Sequence, residues 1–159
     1  MIDIHSHILP GVDDGPESIE ESLRTLIKAS KSGVNKIVAT PHLIPGEYTA
    51  PSSVVNQVVK ELQEEARQED IPIEIIRGRE CYLSPDIFRY EKKLEELTIN
   101  QNGRYILVEF PFQEIPRYVD DIIFQLRTKR ISPIIAHVER YFDIIDNPNS
   151  VSKFIENGC

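Results

Sequence analysis

The sequence predicts an α/β fold with a parallel sheet, arranged as part of a (β/α) barrel. Short β-rich runs alternate with amphipathic stretches along the 159 residues, and strands that alternate with helices form parallel sheets with right-handed crossovers. The units repeat about every 30 residues, so about five fit, whereas a closed eight-stranded barrel takes about 250 residues. We therefore expect a single domain, residues 1–159, with exposed sheet edges: either the domain is incomplete at its C-terminus, or an open sheet covers its edges by association.

Five runs rich in β-branched and aromatic residues predict the strands of this sheet. They are Ile2–His5, Lys36–Thr40, Ile73–Arg77, Tyr105–Phe110 and Pro133–His137. Each run is short enough for one buried strand and is followed by a helical pattern.

Apolar residues at helical spacing predict five helices. The first ends at Gly33, and the second begins after Pro51. The third is expected to begin at Ser84, a hydroxyl cap that is followed by proline, and to bury Ile87, Leu94 and Leu97. The fourth contains Ile123, and the fifth begins at Asn147.

Composition excludes several functional classes. A formal net charge of −8 disfavours nucleic-acid binding, and no run approaches the roughly 20 apolar residues that cross a bilayer. Because the N-terminus has no signal-peptide pattern, we expect a cytoplasmic protein. Cys81 and Cys159 are too few for a disulfide framework and are expected to be reduced. Ile87 stands six residues after Cys81, so the Cys-x5-Arg loop of cysteine-based phosphatases is absent.

Side chains that can bind a metal lie at or just after the end of every predicted strand. The candidate ligands are His5, His7, Asp14, His42, Glu80, Glu109 and His137. The carboxyl ends of parallel strands meet at one rim, where active sites of α/β folds are built. We therefore expect these side chains to converge on one site.

The individual candidates have structural alternatives. Asp13 is assigned to a turn, because Asp-Asp-Gly favours one, and Asp14 is a ligand candidate through its neighbours. His42 suits a loop, and Glu80 suits a solvated surface position. Glu109 is harder to explain without a cation, because it ends an apolar run and its charge would be buried.

The ligand set predicts a cluster of transition-metal ions. Imidazole with carboxylate ligands favours manganese, iron or zinc over calcium or magnesium. The candidates exceed what one ion needs, so we expect at least two ions bridged by Glu80. Such a pair stabilises the attacking and leaving oxygens of a phosphoryl displacement and supplies hydroxide at neutral pH. Arg140 is predicted to bind phosphate oxygens, with a surface ion pair as the alternative. Tyr48 and Phe112 are predicted to form an aromatic rim for a substrate ring.

These motifs together resemble the bacterial PHP-family tyrosine phosphatases that are encoded with capsule and exopolysaccharide genes. The matching segments are residues 3–15, 37–42, 78–80, 108–111 and 133–137. The resemblance implies a PHP-type barrel with a trinuclear centre, usually loaded with manganese, that hydrolyses phosphotyrosine on a partner bacterial tyrosine kinase.

The resemblance also implies a grouping of the ligands. His5, His7 and Glu80 would hold one ion; Glu80, Glu109 and His137 would hold a second. Asp14 and His42 would form part of a third. The chain departs from the family pattern at Leu43, at Val138, and in lacking the family's later Asp-x-His motif. We therefore expect these residues alone to bind metal but to be a poor enzyme.

Two other functions are also compatible with the sequence. One is a small-molecule phosphatase of the PHP superfamily, acting for example on histidinol phosphate. The other is a truncated, inactive protein that binds a kinase or a polysaccharide-assembly partner. Exposed sheet edges also predict homo-oligomers.

Overall fold

A computed structural model describes residues 1–90 and 93–159 of the chain, in which strands and helices alternate. The strands are β1 (Ile2–Ser6), β2 (Lys36–Ala39), β3 (His42–Leu43), β4 (Glu74–Arg77), β5 (Glu80–Tyr82), β6 (Tyr105–Glu109) and β7 (Ser132–Ile135). The helices are α1 (Ile19–Lys31), α2 (Ser52–Gln68), α3 (Tyr118–Thr128), α4 (Phe142–Asp146) and α5 (Val151–Glu156).

The strands form two parallel sheets, with the orders β1-β2-β4 and β3-β5-β6-β7. The predicted α/β fold with parallel pairing is confirmed. Within residues 1–90 and 93–159 the sheets do not close into a barrel, because β1 and β7 are edge strands.

The chain crosses twice from the first sheet to the second, between β2 and β3 and again between β4 and β5. Hydrogen bonds continue across the break: the Gly78 N–H donates to Ala39 O at 2.8 Å, and the Glu80 N–H donates to Pro41 O at 3.1 Å. A Cβ atom on Gly78 would lie 2.7 Å from Cγ1 of Val38, so no side chain fits there. Glycine thus allows the close approach that joins the two sheets just before Glu80.

Helices α1 and α2 cover the first sheet, and α3 to α5 pack with the second. Each sheet has its own apolar core; Leu26 and Leu62 are fully buried in the first, and Ile106 and Leu126 in the second. The predicted stop of the first helix at Gly33 is confirmed, since this glycine adopts a left-handed φ of 86°.

The predicted third helix is wrong. The chain after Ser84 instead makes short 3-10 turns at Ile87–Arg89, Leu94–Leu97 and Ile99–Gln101. Glu91 and Lys92, which this prediction also included, lie outside the described residues. Lys93, which precedes the second of these turns, has an extended backbone with a φ of −126° and a ψ of 123°, a conformation that an α-helix cannot contain.

The other four predicted helices are confirmed, whereas β3, β5 and α4 were not predicted. Segments of two or three residues are too short to show a periodicity. The predicted strand ends differ from the observed ones by one or two residues; β7, for example, ends at Ile135 because His137 adopts a left-handed φ of 33°. Among the residues that the structure describes, no helix is long and apolar enough to cross a bilayer.

Candidate metal centre

One cleft of about 770 Å³ at the carboxyl ends of the strands contains every predicted metal ligand and Arg140. Its lining includes His5, His7, Asp14, His42, Glu80, Glu109, His137 and Arg140. The expected convergence of strand ends therefore occurs, although these residues are separated by up to 135 positions in the sequence.

Glu80 lies at the centre of this cleft. It begins β5 between β3 and β6, and only 1% of the residue is exposed. Its Oε2 atom lies 3.0 Å from Nε2 of both His5 and His7, and 3.3 Å from Nδ1 of His42. Its Oε1 atom lies 2.8 Å from Nε2 of His137. A single buried carboxylate thus contacts all four histidines of the sequence.

Glu109 is the second buried carboxylate, at the last position of β6. Its Oε1 atom lies 3.0 Å from Nδ1 of His42, and its Oε2 atom lies 3.5 Å from Nε2 of His137. The charge at the end of this apolar strand therefore has imidazole partners, as its burial requires.

Asp14 differs from both glutamates because its side chain is 60% exposed. Its Oδ1 atom lies 3.8 Å from Nδ1 of His7 and 3.7 Å from Nε2 of His42. The turn containing Asp14 thus extends the ligand cluster towards the solvent.

The described part of the chain contains three groups of residues that could hold a metal ion. Within each group, the donor atoms all lie within 4.8 Å of one another. The groups are His5, His7 and Glu80; His7, Asp14 and His42; and His42, Glu80 and Glu109. The first coincides with the set implied for one ion. In the third, His42 accompanies the two glutamates, whereas the resemblance placed His137 with them.

Asp13, which the sequence assigned to a turn, also lies in the site. Its side chain is fully buried, and its Oδ2 atom lies 2.6 Å from Nδ1 of His7. The turn exists as well, because the Gly15 N–H donates to Oδ1 of Asp13 at 3.0 Å. The only sequence signal for the contact with His7 is the proximity of a carboxylate to a candidate ligand.

The electrostatics of the site couple buried carboxylates to imidazoles. Burial alone would raise the pKa of Glu80, but contacts with His5 and His7 hold that pKa well below its usual range. Burial lowers the pKa of His7, but contacts with Asp13 and Glu80 outweigh this and raise it to about 10. The buried carboxylates are therefore stabilised by nearby positive charge. Protons on the histidines can supply this charge, and metal ions that bind in this site compete with those protons.

Several buried donor atoms are available to a cation. Glu80 Oε2, Glu109 Oε1 and His42 Nδ1 are buried and, among the described residues, take part in no hydrogen bond of good geometry. Buried polar atoms in native proteins are normally satisfied. Nδ1 of His42 lies 3.3 Å from Oε2 of Glu80 and 3.0 Å from Oε1 of Glu109, so the three atoms fit a shared metal site.

Apolar and aromatic side chains also line the cleft. Ile44, Tyr82 and Phe112 line it, and Phe112 packs edge-on against His137 with ring centroids 5.2 Å apart. Tyr48 instead stacks on His42 at 5.7 Å. Both predicted rim aromatics therefore contact a candidate ligand histidine, and Phe112 lines the cleft.

Arg140 contributes a cation to the same wall. Its guanidinium has no ion pair or hydrogen bond within the part of the chain that the structure describes, and its backbone N–H donates to His137 O at 2.9 Å. The 3-10 turn Val138–Arg140 holds this arginine beside the histidine and carboxylate cluster, and the N–H groups of its guanidinium are available to an anion.

Cys81 follows Glu80 but does not offer a nucleophile. It is fully buried, and burial raises the pKa of its thiol to about 12. Only the thiolate is a strong nucleophile, so the structure agrees with the exclusion of cysteine-based phosphate transfer.

Comparison with known proteins supplies the family. Residues 1–159 match the family described as capsular polysaccharide synthesis, CpsB/CapC. The chain belongs to the CpsB/CapC family. The predicted resemblance to capsule-type phosphatases is confirmed, since the chain is 35% identical over 159 residues to the tyrosine-protein phosphatase YwqE of Bacillus subtilis (strain 168). It is also 37% identical to the putative tyrosine-protein phosphatase CapC of Staphylococcus aureus.

Solved structures of the CpsB/CapC family share the fold. A chain from the crystal structures of YwqE from Bacillus subtilis and CpsB from Streptococcus pneumoniae, described as unique metal-dependent tyrosine phosphatases, superposes with a TM-score of 0.91 at 34% identity. The match covers 100% of this chain and 64% of that one. The chain likewise spans 62% of the length of the YwqE and CapC sequences.

Proposed function

We propose that this CpsB/CapC chain carries the metal centre of a metal-dependent protein-tyrosine phosphatase that serves capsule or exopolysaccharide synthesis. The observation that carries the proposal is the buried Glu80 carboxylate, which contacts four histidines in a cleft that also contains Arg140. The names of the family and of its relatives support the same activity.

At least two divalent ions would share Glu80. His5, His7 and Glu80 would hold one, and Glu80, Glu109 and His42 would hold a second, with His137 in contact with both glutamates. Asp14, whose Oδ1 atom lies 3.7 Å from Nε2 of His42, would contribute to a third ion. We propose manganese as the ion, because mixed imidazole and carboxylate ligands suit a transition metal that also accepts oxygen.

When bound, the ions would withdraw charge from the phosphoryl group and make hydroxide available at neutral pH for direct attack on phosphorus. The protein's own side chains would position the substrate. The planar guanidinium of Arg140 would donate two hydrogen bonds to phosphoryl oxygens. The ring of Phe112 would pack against the tyrosine ring of the substrate, since aromatic pairs add to the burial of apolar area.

The wider context of the proposal rests on the family. We propose a tyrosine-phosphorylated bacterial kinase as the partner, because the family is named for capsule synthesis and its relatives for tyrosine phosphatase activity. We also propose that residues 1–159 form part of a single PHP-type barrel, consistent with the parallel strands and the open edges at β1 and β7. A cytoplasmic location and homo-oligomer formation stay predictions.

Phosphate release from two substrates tests the proposed function. The protein is dialysed against a chelator, reloaded with manganese, and assayed on a phosphotyrosine peptide and on histidinol phosphate. We expect turnover of the peptide, its loss after chelation and its return with manganese. An Asp86→Asn variant, changed at an exposed position outside the cleft, serves as the matched control.

The same assay separates the alternatives. Faster turnover of histidinol phosphate than of the peptide favours a small-molecule phosphatase. Manganese binding without turnover of either substrate favours a binding protein. Undiminished peptide turnover after exhaustive removal of metal contradicts the proposed mechanism.

A further inference from the structure

Asp13 occupies a buried position between two of the candidate ligands without belonging to any of the three ligand groups. Its Oδ2 atom lies 2.6 Å from Nδ1 of His7 and accepts the backbone N–H of His42 at 2.9 Å. Its Oδ1 atom accepts the backbone N–H of Gly15 at 3.0 Å. One carboxylate therefore connects the segment after β1 with the first residue of β3.

The two nitrogens of His7 have different partners. Nδ1 faces Asp13, whereas Nε2 faces Glu80 at 3.0 Å and lies 3.3 Å from Nε2 of His5. When Nδ1 carries the proton and donates a hydrogen bond to a carboxylate, Nε2 is the nitrogen with a free lone pair. Histidine ligands of metals are commonly oriented by such a carboxylate, which also raises their basicity.

We propose that Asp13 is a positioning residue that holds His7 in the Nδ1–H tautomer and fixes the backbone of His42, so that both imidazoles face the metal centre. This inference rests on the proposed function, because it assumes that His7 binds a metal through Nε2. It assigns Asp13 a role different from that of its exposed neighbour Asp14.

The arrangement of donors explains why this position requires a carboxylate. Two of the three partners of Asp13 are backbone amides that can only donate, and the third, Nδ1 of His7, must carry a proton to hydrogen-bond to an ionised carboxylate. Asparagine has one acceptor oxygen and an NH₂ group, so in either orientation its NH₂ would face an N–H donor. Turning the NH₂ towards His7 would also favour the opposite tautomer, in which Nε2 carries the proton and cannot bind a metal.

Gly15 supports the same arrangement by its size. A Cβ atom at this position would lie 2.9 Å from His7 O and 3.0 Å from Oδ1 of Asp13. Distances this short force the neighbours to move. The glycine therefore allows the turn to close directly onto the carboxylate and the backbone of His7.

The chain offers a matched control in Asp3. Its Oδ1 atom accepts the backbone N–H of His5 at 3.1 Å, so it too is a carboxylate beside a candidate ligand. That is a single donor, which the oxygen of asparagine can also accept. Asp3→Asn and Asp13→Asn make the same chemical change, but only the second leaves a donor facing a donor.

Metal binding tests the inference independently of activity. Affinities for manganese and zinc are measured by calorimetry for the wild-type protein and both variants, and circular dichroism checks that each is folded. We expect Asp13→Asn to weaken binding by about 10- to 100-fold, as is typical for a lost partner of a ligand histidine. Asp3→Asn should stay within about twofold of wild type, since its hydrogen bond is retained.

Nuclear magnetic resonance of the wild-type protein loaded with diamagnetic zinc tests the tautomer directly. We expect a slowly exchanging Nδ1–H proton on His7 and a metal-bound Nε2. This observation needs no variant, so it decides the matter even if Asp13→Asn does not fold.

The role of Asp13 would be overturned by wild-type metal affinity in folded Asp13→Asn, or by a His7 in the zinc-loaded protein that is metal-bound through Nδ1. Equal losses of metal affinity in Asp13→Asn and Asp3→Asn would also overturn it, because the loss would then follow from removing a negative charge and not from the contacts of Asp13. Absence of metal binding in the wild-type protein would overturn the proposed function itself.

Discussion

The buried and exposed ends of the candidate metal centre are built differently. At the buried end, Glu80 and Glu109 are 1% and 6% exposed and stand on strands β5 and β6. At the exposed end, Asp14 stands on a turn with 60% of its side chain exposed. The contacts of Glu80 with histidine nitrogens are 2.8 to 3.3 Å, whereas those of Asp14 are 3.7 and 3.8 Å.

This difference shows where the centre depends on a cation. A buried carboxylate loses its hydration and must be compensated by nearby positive charge. An exposed carboxylate is stabilised by water whether or not an ion is bound. Ligands at the buried end should therefore contribute much more to metal affinity than Asp14 does.

The largest effect is expected for Glu80→Gln. This change removes the only carboxylate that contacts all four histidines within the described residues. We expect manganese affinity to fall by at least about 100-fold, the upper end of the loss seen for partners outside the coordination shell. Calorimetry measures the affinity and the number of ions bound. Glu64→Gln, on the exposed surface of α2, is the control, and a full complement of ions in Glu80→Gln would contradict its bridging role.

A loss of about 10- to 100-fold in manganese affinity is expected for His137→Asn. This histidine contacts both buried glutamates, so its loss should remove one ion rather than the whole cluster. Asparagine is chosen because it tolerates the left-handed φ of 33° better than alanine does. Elemental analysis after dialysis counts the ions that remain. An unchanged count would remove His137 from the ligand set.

Arg140→Lys tests substrate binding at the cleft wall instead of metal binding. Lysine keeps the charge but cannot form two parallel hydrogen bonds to phosphoryl oxygens. We expect kcat/KM for a phosphotyrosine peptide to fall by about tenfold, which corresponds to one charge-assisted hydrogen bond. Metal content should not change. Arg24→Lys, at an exposed position, is the control. A kcat/KM in Arg140→Lys equal to that of the wild type and of the control would show that Arg140 does not bind the substrate.

The smallest effect is expected for Asp14→Asn. Because the Asp14 carboxylate is exposed and its contacts are long, we expect manganese affinity to fall by less than about fivefold, in the range of exposed ion pairs. A loss as large as that of Glu80→Gln would remove the distinction between the two ends.

The buried end can be predicted well from the sequence because two physical regularities suffice. Runs such as Ile106–Val108 identify a buried strand, and the carboxyl ends of parallel strands converge. Glu80, Glu109 and His137 can therefore be assigned to one rim from the sequence alone.

Other features depend on contacts between distant segments and could not be predicted in this way. The role of Asp13 depends on a turn that folds back, with the Gly11 N–H donating to Pro16 O at 2.9 Å. The predicted third helix is wrong because Ile87 and Leu97 lie in two separate 3-10 turns. Each turn buries its own apolar residue, and the resulting spacing of apolar residues resembles that of one amphipathic helix.

Crystallography with manganese tests the central claim most directly. Crystals of the protein grown with excess manganese are measured on the high-energy side of the manganese absorption edge, and anomalous difference maps locate the ions. We predict at least two peaks, both within bonding distance of Glu80 and together contacting His5, His7, His42 and Glu109. A protein saturated with manganese in solution whose anomalous peaks all lie away from Glu80 would contradict the assignment of this cleft as the metal centre.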